Sequence, residues 1–391
     1  MRILGVRLCT HSPLPSVTPT PRFVPLLFIA MACSGTSRAP EPLGSTRSAL
    51  RWDARAAATY LDARQTWWST WPTATRDRGT SCVSCHTAVP YALARPALSA
   101  ALHEARTTSA EDRLLDNVIL RVRRWNEVEP FYPDQKNGLP KTSESRGTEA
   151  VLNALILATR DARTGSASEE GRIALANMWA LQFRNGDMAG AWAWLNFHLE
   201  PWESSDATYF GATLAAIAAG TSPGGDAGPD AQERIKALRA YLTTHASTQP
   251  LFNRVTLLWA SGRLPGVLTA PERAAIADAM WSRQLADGGW SLSALGQWKR
   301  SDNTALDSTS DGYATGLAIY ALLQSGQSPH EPHVAKALAW LEQHQDRTTG
   351  MWVTASLNKK RPLTSDVGKF MSDAATAYAV LALTQAAAAD R

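Results

Sequence analysis

From Trp52 onward the apolar residues recur at helical spacing, and no stretch alternates as a half-buried strand requires. The helical runs come in pairs: 53–67 with 90–102, 111–126 with 147–160, 168–183 with 206–219, 230–245 with 251–261, 271–285 with 311–324, and 333–345 with 373–387. Helical hairpins of this kind cannot bury an apolar face alone, so they must pack on one another. The second helices share a start signal. Ser205-Asp206-Ala207, Ser310-Asp311-Gly312 and Ser372-Asp373-Ala374 each open a run rich in Ala, Leu and Tyr, and Ser145-Arg146-Gly147 is a degenerate fourth. Serine at the cap and aspartate in the first turn satisfy free N–H groups and the helix dipole, so capping is the plain reading of all three aspartates. A unit of about 50 residues exceeds the tetratricopeptide and armadillo lengths, which disfavours an ordinary solenoid.

Several pairs are joined by a connection rich in glycine and tryptophan. One runs from Gln182 through Gly186 and Gly190 to Trp192, another is Gln284-Leu285-Ala286-Asp287-Gly288-Gly289-Trp290, and a third runs from Gln343 and Gln345 to Gly350-Met351-Trp352. The glycine permits a tight turn, while the indole packs on the next helix and its N–H seeks an acceptor. Over roughly residues 110–388 this pattern resembles the QW repeats of the squalene-hopene cyclase and prenyltransferase superfamily, best at Gln284–Trp290. The resemblance implies an all-α fold, an (α/α)6 toroid filling 51–391, whose connections form the mouth of an inner barrel. Trp192, Trp194 and Trp202, with Asp206, Asp311 and Asp373, are then candidates to line a cavity for a hydrophobic or isoprenoid-like ligand. Core packing is the ordinary role for most of the 15 tryptophans.

The chemistry of the cyclases does not carry over with the repeats. Their proton donor is the central acid of a D-x-D-D motif, and Glu203-Ser204-Ser205-Asp206 has serine there, while Asp307 and Asp311 stand at the wrong spacing. Zinc-dependent prenyl transfer needs a cysteine in the second half of the chain, and thioester toroids need Cys-Gly-Glu-Gln; neither is present. Paired carboxylates, as in toroidal glycosidases, remain open through Glu200, Glu203, Asp206, Asp311 and Asp373.

Ser81-Cys82-Val83-Ser84-Cys85-His86 is a C-x-x-C-H box, the pattern of covalent c-type haem attachment. Cys82 and Cys85 would form thioethers with one haem c, and His86 would be its proximal iron ligand. A thioredoxin-like dithiol is expected near a βαβ pattern, and structural zinc needs further ligands. Only about 30 residues separate Trp52 from Cys82, too few for a separate cytochrome domain, so the box is expected within the first connection of the toroid. For the sixth ligand Met188, in a glycine-flanked connection, is the first candidate; His198, Met351 and Met371 are others.

Arg22 precedes the apolar run 23–32, too short to span a bilayer, so residues 1–33 read as an export leader. Ala30-Met31-Ala32-Cys33 resembles a bacterial lipoprotein box, which makes Cys33 a lipidation candidate; cleavage near Ala32 or Ala39 is the alternative. Residues 34–50 read as a flexible tether. Export agrees with the haem box, since c-type attachment belongs to the oxidising side of a bacterial membrane. The formal charge is +4, of which Arg2, Arg7 and Arg22 supply three, so nothing points to nucleic acid. Taken together, the sequence predicts an exported periplasmic or lipid-anchored haem protein that works in electron transfer or redox chemistry near an apolar ligand cavity, with a redox partner; as an enzyme it would be a haem-dependent oxidoreductase sooner than a cyclase. A non-catalytic binding or sensing module and a cyclase-like or carboxylate-dependent enzyme are the alternatives.

Overall fold

The computed structural model describes residues 51–225 and 228–389. Residues 1–33, read as a leader with Cys33 as lipidation candidate, and residues 34–50, read as a tether, lie outside them. Twelve long helices follow in order: α1 (Ala54–Thr70), α2 (Ala88–Leu102), α3 (Ser109–Arg123), α4 (Lys141–Ala162), α5 (Glu169–Ala180), α6 (Ala207–Thr221), α7 (Pro229–His245), α8 (Leu251–Arg263), α9 (Ala270–Trp281), α10 (Gly312–Gln324), α11 (Pro332–Gln343) and α12 (Phe370–Ala389). One further turn, Asp134–Asn137, precedes α4. Among the described residues there is no β-strand, only the isolated bridges Thr75–Ser81 and Leu199–Glu203. No helix there is long and apolar enough to cross a membrane.

The even-numbered helices close a ring, α2 against α4, α6, α8, α10, α12 and back to α2, and the odd-numbered helices pack around it. This is an (α/α)6 toroid. The inner helices are small-residue helices buried almost all round, α10 from Gly312 to Leu323 without interruption, whereas outer α3 keeps one apolar stripe and turns Arg113, Asp116 and Arg123 outward. From α5 onward each outer helix packs on the inner helix that precedes it, across a short connection, so the tight pairs are one step out of phase with the pairs read along the sequence. The longer connections, from outer to inner helix, gather on one rim: 71–87, 124–140, 181–206, 282–311 and 344–369, with 246–250 the short exception.

The glutamines and tryptophans of the repeat do the same work three times. Trp192, Trp290 and Trp352 each donate the indole N–H to a carbonyl in the last turn of the preceding outer helix, at Met178 (2.6 Å), Met280 (2.8 Å) and Leu341 (2.8 Å). These carbonyls lie past the last regular i→i+4 bonds and accept only a tightened-turn N–H, from Leu181, Arg283 and His344, so the indole adds a second, C-terminal capping donor. Gln182, Gln284 and Gln345 each donate to their own connection and to the start of the next outer helix, at Arg234 O, His333 O and Asp53 O. The third tie closes the ring. Gln345 Nε2 donates to Gly350 O (3.0 Å) and Asp53 O (2.9 Å), and its Oε1 accepts from Asp53 N–H (2.7 Å). Gly350 has φ +80°, and a Cβ there would sit 2.4 Å from the Ala56 backbone, so only glycine fits.

Trp259, Tyr320, Tyr378 and Tyr313, all from the inner helices α8, α10 and α12, form a continuous series of ring contacts at centroid separations of 5.2, 6.5 and 5.5 Å, and Trp202 joins it 5.6 Å from Tyr313.

Replacing Gln345 by Leu removes three hydrogen bonds at a buried junction and should lower unfolding free energy by about 2–4 kcal/mol. Gln284→Leu, at a half-exposed junction, should cost less than half of that; urea unfolding of both variants decides, and equal costs would contradict the closure role.

Candidate functional site

The C-x-x-C-H box lies in the connection 71–87 and is fixed from several helices. Asn117 of α3 clasps Ser81, accepting from its N–H (2.8 Å) and donating to its carbonyl (3.1 Å). Trp68 of α1 donates to Cys82 O (2.6 Å), and the Ser84 hydroxyl accepts from Ala88 N–H (3.1 Å) to start α2. Arg121, fully buried and paired with Glu149 (2.5 Å), donates to Thr80 Oγ1 (2.6 Å). The box has little freedom left.

Cys82 and Cys85 are 7% and 8% exposed and carry free thiols. Burial pushes Cys82 up to about 12 and raises Cys85 as well. A dithiol redox centre needs the reverse shift, so this environment does not suit one. Among the described residues no three His, Cys, Asp or Glu side chains converge as ligands for a bare metal ion.

His86 stacks on Phe370 at 3.8 Å and meets the edge of Trp68 at 4.8 Å. Its Nδ1 lies 2.8 Å from Thr87 Oγ1, and that hydroxyl donates to Asp373 Oδ2 (2.7 Å). With the threonine proton spent on Asp373, Nδ1 is the donor to Thr87, and Nε2 keeps its lone pair. Asp373 Oδ1 accepts from Tyr60 (2.8 Å) and Arg64 Nε (2.7 Å). Burial, assisted by Arg64, lowers His86 to about 3, so the imidazole is neutral. A neutral imidazole, tautomer fixed by a carboxylate-backed hydrogen bond, is the usual state of a metal-ligating histidine.

Both cysteines and His86 line a cavity of about 240 Å³ on the rim of long connections. Trp68, Trp71, Trp202 and Phe370 form its aromatic walls, Met371 lies beside Phe370, and Glu203 and Arg361 are its charged groups. It reaches the surface beside Leu199, which is 43% exposed. Burial lifts Glu203 from an ordinary 4.5 to about 7, against the pull of Lys141 and Arg76.

The remaining candidates are dispersed. Met188 is 38% exposed in the third connection and does not line the cavity, whereas Met371 does, because ring closure brings α12 to the box. Trp192 and Trp194 are core residues with their N–H groups bonded to Met178 O and Trp202 O; of the three cavity tryptophans only Trp202 reaches it. Asp206 is exposed, precedes α6 without a side-chain cap, and faces a separate polar cavity with Glu200. Asp311 caps α10 by accepting from Tyr313 and Ala314 N–H and borders another cavity with Arg300. Asp373 lies inside α12 and caps nothing; it anchors the His86 relay. Sequence reading missed Tyr60, Arg64, Thr87 and Phe370, of which only Thr87 carried a signal, its place directly after the box.

No protein-family model and no curated protein matches this sequence. Among solved structures, a glycosidase in complex with glucose is similar over 84% of this chain and 97% of its own, with 13% identity and a TM-score of 0.46.

Glu203 gives the pH prediction. A carboxyl whose folded value stands above its unfolded one contributes stability below pH 4.5 that is lost as pH rises through 7. The loss should be on the order of 2–3 kcal/mol, and Glu203→Gln should abolish it in urea unfolding across pH 4–8. Parallel pH profiles would contradict the assignment.

Proposed function

We propose that the chain carries one covalent haem c and serves as a redox protein on the toroid rim. The observation that carries the reading is the juxtaposition of two free thiols with a neutral imidazole, all bordering one aromatic-walled cavity, the imidazole Nδ1 being bound by Thr87, whose hydroxyl is in turn held by Asp373. The donor set fits the group: Cys82 and Cys85 would hold the porphyrin through thioethers, and His86 Nε2 would ligate the iron. When bound, the haem supplies one-electron exchange between ferric and ferrous iron. Around it, the protein excludes water with Trp68, Trp71, Trp202 and Phe370, which favours the less charged state of the site. The Thr87–Asp373 relay works in the opposite sense, since it makes the imidazole more basic and favours ferric iron.

Covalent haem implies attachment on the oxidising side of a membrane, which agrees with the leader and lipidation site read at residues 1–33. A redox partner protein is the corresponding partner. The likeness to squalene-cyclase repeats bears on architecture, and a hydrophobic or isoprenoid-like ligand is the alternative occupant of the aromatic-walled rim cavity.

The decisive test is the pyridine haemochrome spectrum of protein made in a periplasm with the c-type maturation system, beside Cys82→Ala/Cys85→Ala. A c-type α band absent from the control is expected; no covalent haem in the wild type would overturn the reading. In the haem protein, Thr87→Val should raise the midpoint potential, because the imidazole loses its hydrogen-bond acceptor. An unchanged or lower potential on redox titration would contradict the relay.

A further inference from the structure

The haem reading employs the thiols, the imidazole and its relay, and leaves one group of the cavity without a task. Glu203 lines the cavity together with Cys82, Cys85 and His86. Among the described residues its carboxyl makes no hydrogen bond and no ion pair. The two cations that act on it from a distance are committed elsewhere. Arg76 donates to Thr73 O and Thr75 O and lies over the Tyr132 ring, while Lys141 bonds Glu144 and Asn196 O.

The residue is also firmly held. Its N–H donates to Leu199 O (2.8 Å), and its carbonyl accepts from Leu199 N–H and Phe197 N–H (both 2.9 Å). Trp202, next to it, lies 5.9 Å from the His86 ring and donates its indole N–H to Tyr313 OH (2.9 Å). From the sixth connection, Asn358 grips Glu200 by both N–H (2.7 Å) and carbonyl (2.9 Å). The short hairpin around Glu203 is thus clamped between the barrel aromatics and the opposite side of the rim. Glu203 is part-buried on the cavity wall, and a rigid backbone that holds its unpaired carboxyl beside Cys82, Cys85 and His86 points to a ligand in the cavity that completes it.

We infer that Glu203 is the hydrogen-bonding acid for a small molecule bound at the haem iron, of the class that offers an oxygen or nitrogen atom as acceptor. The inference rests on the haem reading and deepens it, making the cavity a place where a molecule meets the iron and not only an electron relay. Burial favours the protonated form, which is the donor this role needs.

The test uses the covalent haem protein with carbon monoxide on ferrous iron and cyanide on ferric iron, in wild type, Glu203→Gln and Glu203→Leu. Both probes should bind the wild type. Glu203→Leu should weaken cyanide about tenfold and raise the CO stretching frequency, whereas Glu203→Gln, still a donor, should stay near wild type. Equal CO frequencies and cyanide affinities in all three proteins would overturn the inference. So would an iron held by Met371 that binds neither probe. Absence of covalent haem overturns the haem reading itself, an outcome visible in the haemochrome spectrum before any probe is added.

Discussion

The junction of Gln345 with Asp53 is the constraint on which the rest of the molecule depends. An open row of helical hairpins would leave an apolar edge at each end, and closure removes both edges together. Closure also decides what the first connection touches. Because α12 comes to lie against α1 and α2, the C-x-x-C-H box receives Phe370, Met371 and Asp373 from residues nearly 300 positions away. The candidate site is a product of the ring, since its imidazole comes from the first repeat and the carboxylate behind it from the last.

Around the box the protein spends buried charge. Arg121 with Glu149, and Arg64 with Asp373, are held in the interior at hydrogen-bonding distance. Such pairs add little net stability compared with apolar residues of the same shape, yet removing one partner is strongly destabilising. Their value here is positional. Arg121 reaches Thr80 and Arg64 holds Asp373, so each pair keeps a neighbour of the box from moving. The same economy explains why Asp373 was misread as a cap: its neighbours in the sequence suggest a helix start, but α12 begins at Phe370 and turns the side chain toward α1.

Helical periodicity and the spacing of Gln, Gly and Trp made the architecture legible, because those signals arise within single repeats. The six runs read as the second helices of the pairs form the inner ring, and the box lies in the connection between the first two helices, as expected. Boundaries were less legible: 147–160 became Lys141–Ala162, since a proline before Lys141 lets the helix start earlier than its apolar face. The site was legible only where it is local. Cys82, Cys85 and His86 are adjacent in the chain, while Met371 and the relay depend on closure of the ring, which no local spacing encodes. Met188 looked accessible for the same reason that it proved remote, since glycine-flanked connections face solvent as readily as they face a cavity.

The stacking of Phe370 on His86 sets an order of events. Phe370 belongs to the last of the twelve helices in chain order, and until that helix docks, the imidazole is uncovered on this side. After docking, the two thiols sit beneath aromatic walls with under a tenth of their surface accessible. Any enzyme that modifies Cys82 and Cys85 must therefore act on a chain whose ring has not yet closed, and docking of α12 becomes the step that covers the site.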